Sequence, residues 1–178
     1  ADNPVGRLIK MLGALLAEPL DAGTDHFQQS NLEVTTIDVG NPATNVIPSE
    51  ARARFNIRFN DLQSSNGLTQ WLTKTLDSIG GTYTLDIHVT GEAFLTPPGS
   101  LSDLVAQSVK ARLGVEPELS TTGGTSDARF IKDYAPVAEF GLIGSTMHKV
   151  DEHVAVADIV ALSDIYEDII GRYFAAST

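Results

Sequence analysis

The stretch that decides the fold of the first half of the chain is Glu50–Asn60, which reads EARARFNIRFN. Apolar and polar side chains alternate through it, and this period of two is typical of a β-strand with one buried face. The buried face is predicted to hold Ala51, Ala53, Phe55, Ile57 and Phe59. The exposed face is predicted to hold Arg52, Arg54, Asn56, Arg58 and Asn60.

The segments on either side of this strand predict an α+β layer. Apolar residues at three- and four-residue steps indicate helices over Asn3–Leu20 and Ser65–Ile79, and alternation indicates strands over Leu32–Val39 and Thr82–Thr90. The alternation in Leu32–Val39 slips by one position at Thr35-Thr36, which indicates either a β-bulge or a strand buried on both faces. The order helix, strand, strand, helix, strand suits an antiparallel sheet with two helices on one face.

A different pattern follows Gly91–Ser100, whose adjacent prolines Pro97-Pro98 mark a linker or hinge. Helices and short strands then alternate, as they do in α/β proteins, but there are too few of them for a complete α/β domain. The predicted elements are helices over Leu101–Leu113 and Val156–Phe174, a further helix beginning at Ala128–Lys132, and strands over Glu118–Ser120 and Pro136–Phe140.

Composition excludes several classes of function. The chain has 178 residues, with 12 basic and 23 acidic side chains and a net charge of −11, so it lacks the basic surface of a nucleic-acid binder. No apolar run approaches the roughly 20 residues of a membrane span. There is no cysteine, which removes disulfides and thiolate metal sites. The chain opens at Ala1 in the first turn of a predicted helix, which indicates a fragment.

The Gly-rich turn Thr121–Asp127 is the first candidate site. Adjacent glycines let the backbone approach a ligand closely, and the following N–H groups at a helix start favour an anion such as a carboxylate. The alternative is an ordinary strand–turn–helix connection capped by Ser126 or Asp127. It is not a phosphate-binding P-loop, because no lysine follows the glycines in the required place.

His148 lies in a loop between a predicted strand and the last helix, where α/β folds place their sites. Its imidazole is a candidate metal ligand, and Glu152, four residues later, is a candidate to orient it. The alternative is a loop histidine without a function. The other histidines have no clear ligand spacing with His148, and a metal site needs at least three protein ligands.

The arginines of the exposed strand face are the third candidate. Arg52, Arg54 and Arg58, with Asn45 in the preceding turn, could hold a substrate carboxylate through bidentate hydrogen bonds. Such a face is also compatible with simple solvation, or with cross-strand pairing to an acid such as Glu33.

Taken together, three groups of residues resemble one family. They are the run Leu119–Ile131, which reads LSTTGGTSDARFI, the run Thr146–Glu152, which reads TMHKVDE, and the upstream Thr44–Pro48 leading into Phe55–Phe59. Phe94-Leu95-Thr96 near the hinge agrees as well. In order and spacing these segments are similar to the desuccinylases of the M20 peptidase family, which are metallohydrolases with two metal ions.

The resemblance implies a ferredoxin-like α+β lid that forms a homodimer, inserted into an α/β zinc-hydrolase catalytic domain. Residues 1–93 correspond to the lid and residues 94–178 to the C-terminal part of the catalytic domain. His148 matches a metal ligand. Gly124, Thr125, Arg129 and Arg58 match substrate-binding positions, and Asn45 matches a lid residue that reaches the partner's site. Gly144 stands where relatives often carry a substrate-contacting Asn.

The resemblance also implies a reaction. The parent enzyme would hydrolyse N-succinyl-LL-2,6-diaminopimelate to succinate and LL-2,6-diaminopimelate, in cytoplasmic lysine and cell-wall biosynthesis. It would use two zinc ions, which cobalt can replace. The general base and the other metal ligands of the family precede the lid, so this chain alone is expected to be inactive and to bind no metal stably. The alternatives are another M20 enzyme, such as an acetylornithine deacetylase or a carboxypeptidase, and a non-catalytic dimerisation module.

Overall fold

The computed structural model describes residues 2–122 and 126–175 and divides the chain into two compact units, residues 1–95 and 96–178. The identification of these parts as a lid and as a portion of a catalytic domain stays a prediction. Among the described residues, no helix has both the length and the apolar character needed to cross a bilayer.

The described residues of the first unit form two helices and two strands, and both helices begin at capping side chains. The elements are α1 (Pro4–Leu15), β1 (Asn31–Asp38), β2 (Arg52–Arg58) and α2 (Ser65–Ile79). The Asn3 side chain accepts a hydrogen bond from the Val5 N–H at 3.0 Å, and the Ser64 hydroxyl accepts one from the Gly67 N–H at 3.1 Å. These bonds satisfy N–H groups that the first turn of a helix leaves without a partner.

Both helices contribute to one apolar core against the two strands. Its buried members come from α1, β1 and α2 and are Met11, Leu15, Leu32, Leu72 and Leu76. Phe55 and Ile57 of β2 pack against this cluster, as does the half-buried Trp71. Each fully buried side chain of this size contributes about 1.5–3 kcal/mol relative to an exposed one. The predicted α+β arrangement of two helices on an antiparallel sheet is therefore present in this unit in part, with two of the three predicted strands in the sheet.

The two strands pair antiparallel with one bulge. Leu32 lies opposite Ile57 and Val34 opposite Phe55, but the register then shifts between Val34 and Thr36. The bulge predicted at Thr35-Thr36 is confirmed, and the alternative of a strand buried on both faces is wrong. Beyond the bulge Ile37 is 57% exposed, and it is not among the side chains that pack against the core.

Two predicted boundaries in this unit are wrong. Helix α1 ends at Leu15 and not at Leu20, because Pro19 has no N–H to donate to Leu15 and disfavours a helical residue before it. The segment 82–90 is not a strand, since neither β1 nor β2 pairs with it among the described residues. Its Tyr83 and Leu85 nevertheless pack against the core, whereas Ile87 and Val89, which continue the same alternation, are 43% and 48% exposed.

Asn60 was predicted on the exposed face, but it is only 2% exposed and belongs to a polar cluster. Its side-chain NH₂ donates to an Asp21 carboxylate oxygen at 2.7 Å, and its main-chain N–H donates to the Ser30 hydroxyl at 3.1 Å. Asp21 also accepts from the N–H groups of Gly23 and Ser30 and from the Gln63 amide. Burial alone would raise the pKa of Asp21, but the hydrogen bonds led by Ser30 outweigh it and hold the pKa well below its usual range.

The second unit contains α3 (Ser100–Leu113), α4 (Ala128–Ile131) and α5 (Val156–Ala175). Helices α3 and α5 pack against each other, and both bury apolar side chains. Asp168 of α5 accepts from the Arg172 guanidinium at 2.5 Å and lies 3.5 Å from that of Arg112. The bond from Arg172 is the main cause of the lowered pKa of Asp168.

The short strands predicted at 118–120 and 136–140 are wrong, because the structure assigns no strand to either segment. A strand is defined by its ladder of hydrogen bonds, and no described segment of this unit pairs with either one. The apolar sequence of these segments favours a strand, but no neighbouring described segment forms the hydrogen bonds that a strand requires.

Candidate functional site

Four of the predicted site residues are described, and they divide between the two units. Asn45 and Arg58 belong to the first unit, and Arg129 and His148 to the second. Gly124 and Thr125 lie outside the described residues.

His148 projects from a tight loop in a strained backbone conformation. Its φ of 62° lies in the left-handed region, which costs a residue other than glycine about 1–2 kcal/mol. Asp151 has a φ of 61°, so two such residues stand in one short loop. Within the described part of the chain, neither ring nitrogen of His148 makes a hydrogen bond. The exposed imidazole is therefore available to a ligand.

Glu152 contacts His148 in a way that differs from the prediction. Its carboxylate accepts a hydrogen bond from the main-chain N–H of His148 at 3.3 Å, and it does not contact the imidazole. Glu152 thus stabilises the backbone that carries the ring, and the orientation of the ring itself is not set by this carboxylate.

The same loop is closed by contacts that the sequence pattern did not reveal. The Thr146 hydroxyl donates to the His153 carbonyl at 2.7 Å and accepts from the His153 N–H at 3.1 Å. The Nδ1 of His153 lies 2.7 Å from the Asp151 carbonyl, and since a carbonyl only accepts, Nδ1 carries the proton of this bond. The Lys149 ammonium donates to the Ser145 carbonyl at 2.6 Å. Residues seven apart in a loop follow no periodicity, so spacing could not have identified the Thr146–His153 pair.

A metal centre is not assembled by the described residues alone. No group of three or more His, Asp or Glu side chains among them could hold an ion. A structural or catalytic zinc ion takes at least three protein ligands. His148 can supply one of them, and a complete site needs further ligands.

Arg129 is a cation without an acidic partner in the described residues. It lies in the short helix α4, with its guanidinium carbon 4.7 Å from the centre of the Phe130 ring. Its Nε is buried and makes no hydrogen bond there. The helix begins after Ser126, whose hydroxyl accepts from the Ala128 N–H at 3.0 Å. Phe130 contacts the guanidinium through a cation–π interaction, which does not use its hydrogen-bond donors.

The arginine face of β2 is exposed as predicted, and its three cations differ. Arg52 donates to both carboxylate oxygens of Glu50, at 2.9 and 3.1 Å. The guanidinium groups of Arg54 and Arg58 have no such partner in the described part of the chain. Cross-strand pairing with Glu33 does not occur, because Glu33 lies opposite Asn56.

Asn45 and Arg58 lie toward opposite ends of the hairpin. Asn45 is exposed in the connection between the strands, where Asn41 donates to the Val46 carbonyl at 2.7 Å and holds the turn. Arg58 is the last residue of β2, about 20 Å from the first at about 3.3 Å per residue. The length of β2 therefore separates Arg58 from the end of the hairpin that holds Asn45.

The chain is similar to known proteins over nearly its whole length. Residues 1–84 match the peptidase dimerisation domain of the M20 family. The chain is 57% identical over 177 residues to the succinyl-diaminopimelate desuccinylase of Rhodospirillum centenum, and 58% identical over 179 residues to that of Parvibaculum lavamentivorans. These alignments cover 99% and 98% of this chain but only 46% and 45% of the relatives. The chain therefore spans about half the length of the curated relatives that it matches.

Proposed function

We propose that this chain is part of a metal-dependent amide hydrolase, since residues 1–84 match the peptidase dimerisation domain of the M20 family. Its substrate would be N-succinyl-LL-2,6-diaminopimelate, cleaved to succinate and LL-2,6-diaminopimelate. The observation that carries the proposal is the 57% identity to a desuccinylase over 99% of the chain. The ferredoxin-like topology of the lid, the catalytic assignment of residues 94–178 and the cytoplasmic location stay predictions.

The substrate carries several carboxylates, and the chain has cations free to bind them. Arg129 and Arg58 lack acidic partners in the described residues, although the whole chain has a net charge of −11. In such an acidic protein, an unneutralised arginine is the natural attachment point for an anion, and its planar group holds a carboxylate through two hydrogen bonds. Gly124 and Thr125 are proposed to add main-chain and hydroxyl donors for the same substrate.

His148 is proposed as one ligand of a zinc ion, for which cobalt can substitute. When bound, the metal would polarise the scissile carbonyl and lower the pKa of a water molecule. The free ring nitrogens of His148 fit this role, and the remaining ligands and the general base would come from parts of the parent protein that this chain does not contain. The chain by itself is therefore proposed to be inactive.

A homodimer through the first unit is the proposed assembly. The positions of Asn45 and Arg58 support it, because one lies in the connection of the hairpin and the other at the far end of a strand about 20 Å long, an arrangement better suited to two sites than to one. In a two-fold dimer, Arg58 would serve its own active site and Asn45 that of the partner. Light scattering tests the assembly directly: the expected mass is twice the 19.0 kDa of the chain, and a monomer at high concentration contradicts the dimer.

Activity assays separate the proposed function from its rivals. The full-length parent protein with Zn²⁺ should release succinate from the succinylated substrate far faster than it releases acetate from N-acetylornithine. The 178-residue chain should release neither. Preference for the acetyl substrate would favour an acetylornithine deacetylase, and no hydrolysis by the parent would favour a dimerisation module. Turnover by the chain alone would refute its proposed inactivity.

Arginine variants of the parent test the binding roles. Losing a hydrogen bond to a charged group costs about 1.5–3 kcal/mol, so Arg129→Ala and Arg58→Ala should each lower kcat/KM by about 10- to 100-fold. Arg52→Ala is the matched control on the same face, because Glu50 already neutralises Arg52. An equal loss in the control would indicate a general effect of charge and would contradict a specific role for Arg58.

A further inference from the structure

We propose that Thr146 is a positioning residue for His148, acting through His153 to hold the loop 144–153 in the conformation that presents the imidazole. The inference rests on the proposed function, because it makes His148 the residue that has to be presented. Thr146 touches neither a substrate nor a metal in this arrangement, and its role is to fix the backbone.

The hydroxyl of Thr146 uses both its donor and its acceptor capacity on one residue at the far end of the loop. It donates to the His153 carbonyl at 2.7 Å and accepts from the His153 N–H at 3.1 Å. One hydroxyl thus joins two positions seven residues apart in sequence. Thr146 is half-buried while its neighbours in the loop are exposed, which fits a side chain turned back toward the chain.

The enclosed residues have the conformation that such a closure must support. His148 is the third residue of a turn in which the Lys149 N–H donates to the Thr146 carbonyl at 3.0 Å, and its φ is 62°. Positive φ at this position is typical of type II turns and is normally taken by glycine or asparagine. A histidine remains there only if contacts around it determine the backbone, and the Thr146–His153 bonds close the loop on both sides of it.

His153 strengthens this closure at the second strained residue. Its Nδ1–H donates to the carbonyl of Asp151, whose φ is 61°, at 2.7 Å. The main-chain N–H of His148 is held separately by Glu152 at 3.3 Å. Removing the Thr146 hydroxyl would therefore release the two ends of the loop while leaving every charged group in place.

Two substitutions distinguish the hydroxyl from the shape of the side chain, and a third is a control. Thr146→Val keeps the branched shape but can neither donate nor accept, whereas Thr146→Ser keeps the hydroxyl. Ser145→Ala removes a neighbouring exposed hydroxyl that makes no hydrogen bond among the described residues. Groups that orient a metal ligand typically change metal affinity by about 10- to 100-fold when they are mutated.

The first measurement is amide hydrogen exchange in the 178-residue chain. We expect Thr146→Val to accelerate exchange at the His153 and His148 amides by about tenfold or more. Thr146→Ser and Ser145→Ala should resemble the wild type. Unchanged exchange in Thr146→Val, or equal acceleration in Thr146→Ser, would overturn the proposal.

The second measurement is the Zn²⁺ affinity of the full-length parent protein by direct titration. Thr146→Val should weaken it by about 10- to 100-fold at unchanged thermal stability, with Thr146→Ser restoring it. A wild-type affinity in Thr146→Val overturns the positioning role. If the wild-type parent binds no Zn²⁺ and does not hydrolyse the substrate, the proposed function fails, and hydrogen exchange alone then decides whether Thr146 holds the loop.

Discussion

Asp21 is predicted to stabilise the first unit through the hydrogen bonds that its carboxylate accepts. Four donors converge on it, from Gly23, Ser30, Asn60 and Gln63. They come from the connection before β1 and from the connection between β2 and α2, so a single carboxylate joins two loops that are distant in sequence. Asp21→Ala removes this junction, and Asp21→Asn keeps its shape but removes its charge.

The stability lost on substituting Asp21 depends on which of its hydrogen-bond donors can bind water instead. Ser30 and Asn60 are 5% and 2% exposed, so their N–H groups lose a partner that solvent cannot replace. A buried donor without a partner costs about 1–3 kcal/mol, and the Asn60 amide keeps a second bond to the Gln28 carbonyl. We therefore expect Asp21→Ala to lower the free energy of unfolding by about 3 kcal/mol, and Asp21→Asn by about 1 kcal/mol.

Urea unfolding at pH 7, monitored by tryptophan fluorescence, measures the stability of the first unit. The chain has one tryptophan, Trp71, and it packs against the core of the first unit. A loss of 3 kcal/mol lowers the unfolding midpoint by about 1–3 M urea for a domain of this size. Asp25→Asn is the control, because Asp25 is exposed in the same loop and makes no hydrogen bond among the described residues.

The pH dependence provides an independent check. The folded pKa of Asp21 is lower than its unfolded value, so its contribution is complete above an unfolded pKa of about 3.9. The contribution is lost as the pH falls through the folded pKa. The stability gap between the wild type and Asp21→Asn should therefore be full at pH 7 and shrink only in strong acid. Equal stability of Asp21→Asn, Asp25→Asn and the wild type at pH 7 would refute the reasoning.

Three further predictions concern single substitutions. Gly23→Ala should destabilise the first unit by more than about 1 kcal/mol in the same urea assay, because φ of Gly23 is +81° and a methyl group would meet a main-chain oxygen at 2.9 Å. Gly13→Ala, in the open interior of α1, should instead stabilise the unit by about 0.5–1 kcal/mol, and equal effects of the two substitutions would contradict this prediction. Glu92→Gln should lower the free energy of unfolding by about 0.5 kcal/mol in the same assay, because the Glu92 carboxylate accepts from the N–H and hydroxyl of Ser65 at the positive end of α2. A urea midpoint that rises would contradict this prediction. Gly144→Asn should leave the melting temperature unchanged, since a Cβ at this position meets only the flexible Met147 side chain at 3.7 Å or more. It should lower the KM of the parent enzyme if it restores the asparagine contact of the family, and a lower melting temperature or a higher KM would contradict the prediction.

The candidate site was predictable where its signal was local, and not where it depended on the path of the loops. Arg52, Arg54 and Arg58 were recognised as one exposed face because the strand period is two, and the structure bears out that exposure. His148 was selected for its residue type and its position before the last helix. Other features of the site have no period in sequence and depend on the tertiary structure. They are the left-handed backbone at His148, the Thr146–His153 bonds and the contact of Glu152 with a main-chain N–H.

By itself, the sequence determined the two helices of the first unit, the exposed arginine face and the bulge at Thr35-Thr36. Each of these features follows from the spacing of apolar and polar side chains that are close in sequence. The tertiary structure decided what depends on a distant partner. Segment 82–90 alternates like a strand but has no strand to pair with among the described residues. Asn60 continues a polar face yet is buried, because Asp21 and Ser30 from another loop form hydrogen bonds with it. Periodicity specifies which side of a segment is apolar, whereas hydrogen-bond partners far along the chain decide whether that segment becomes a strand and whether a polar residue is buried.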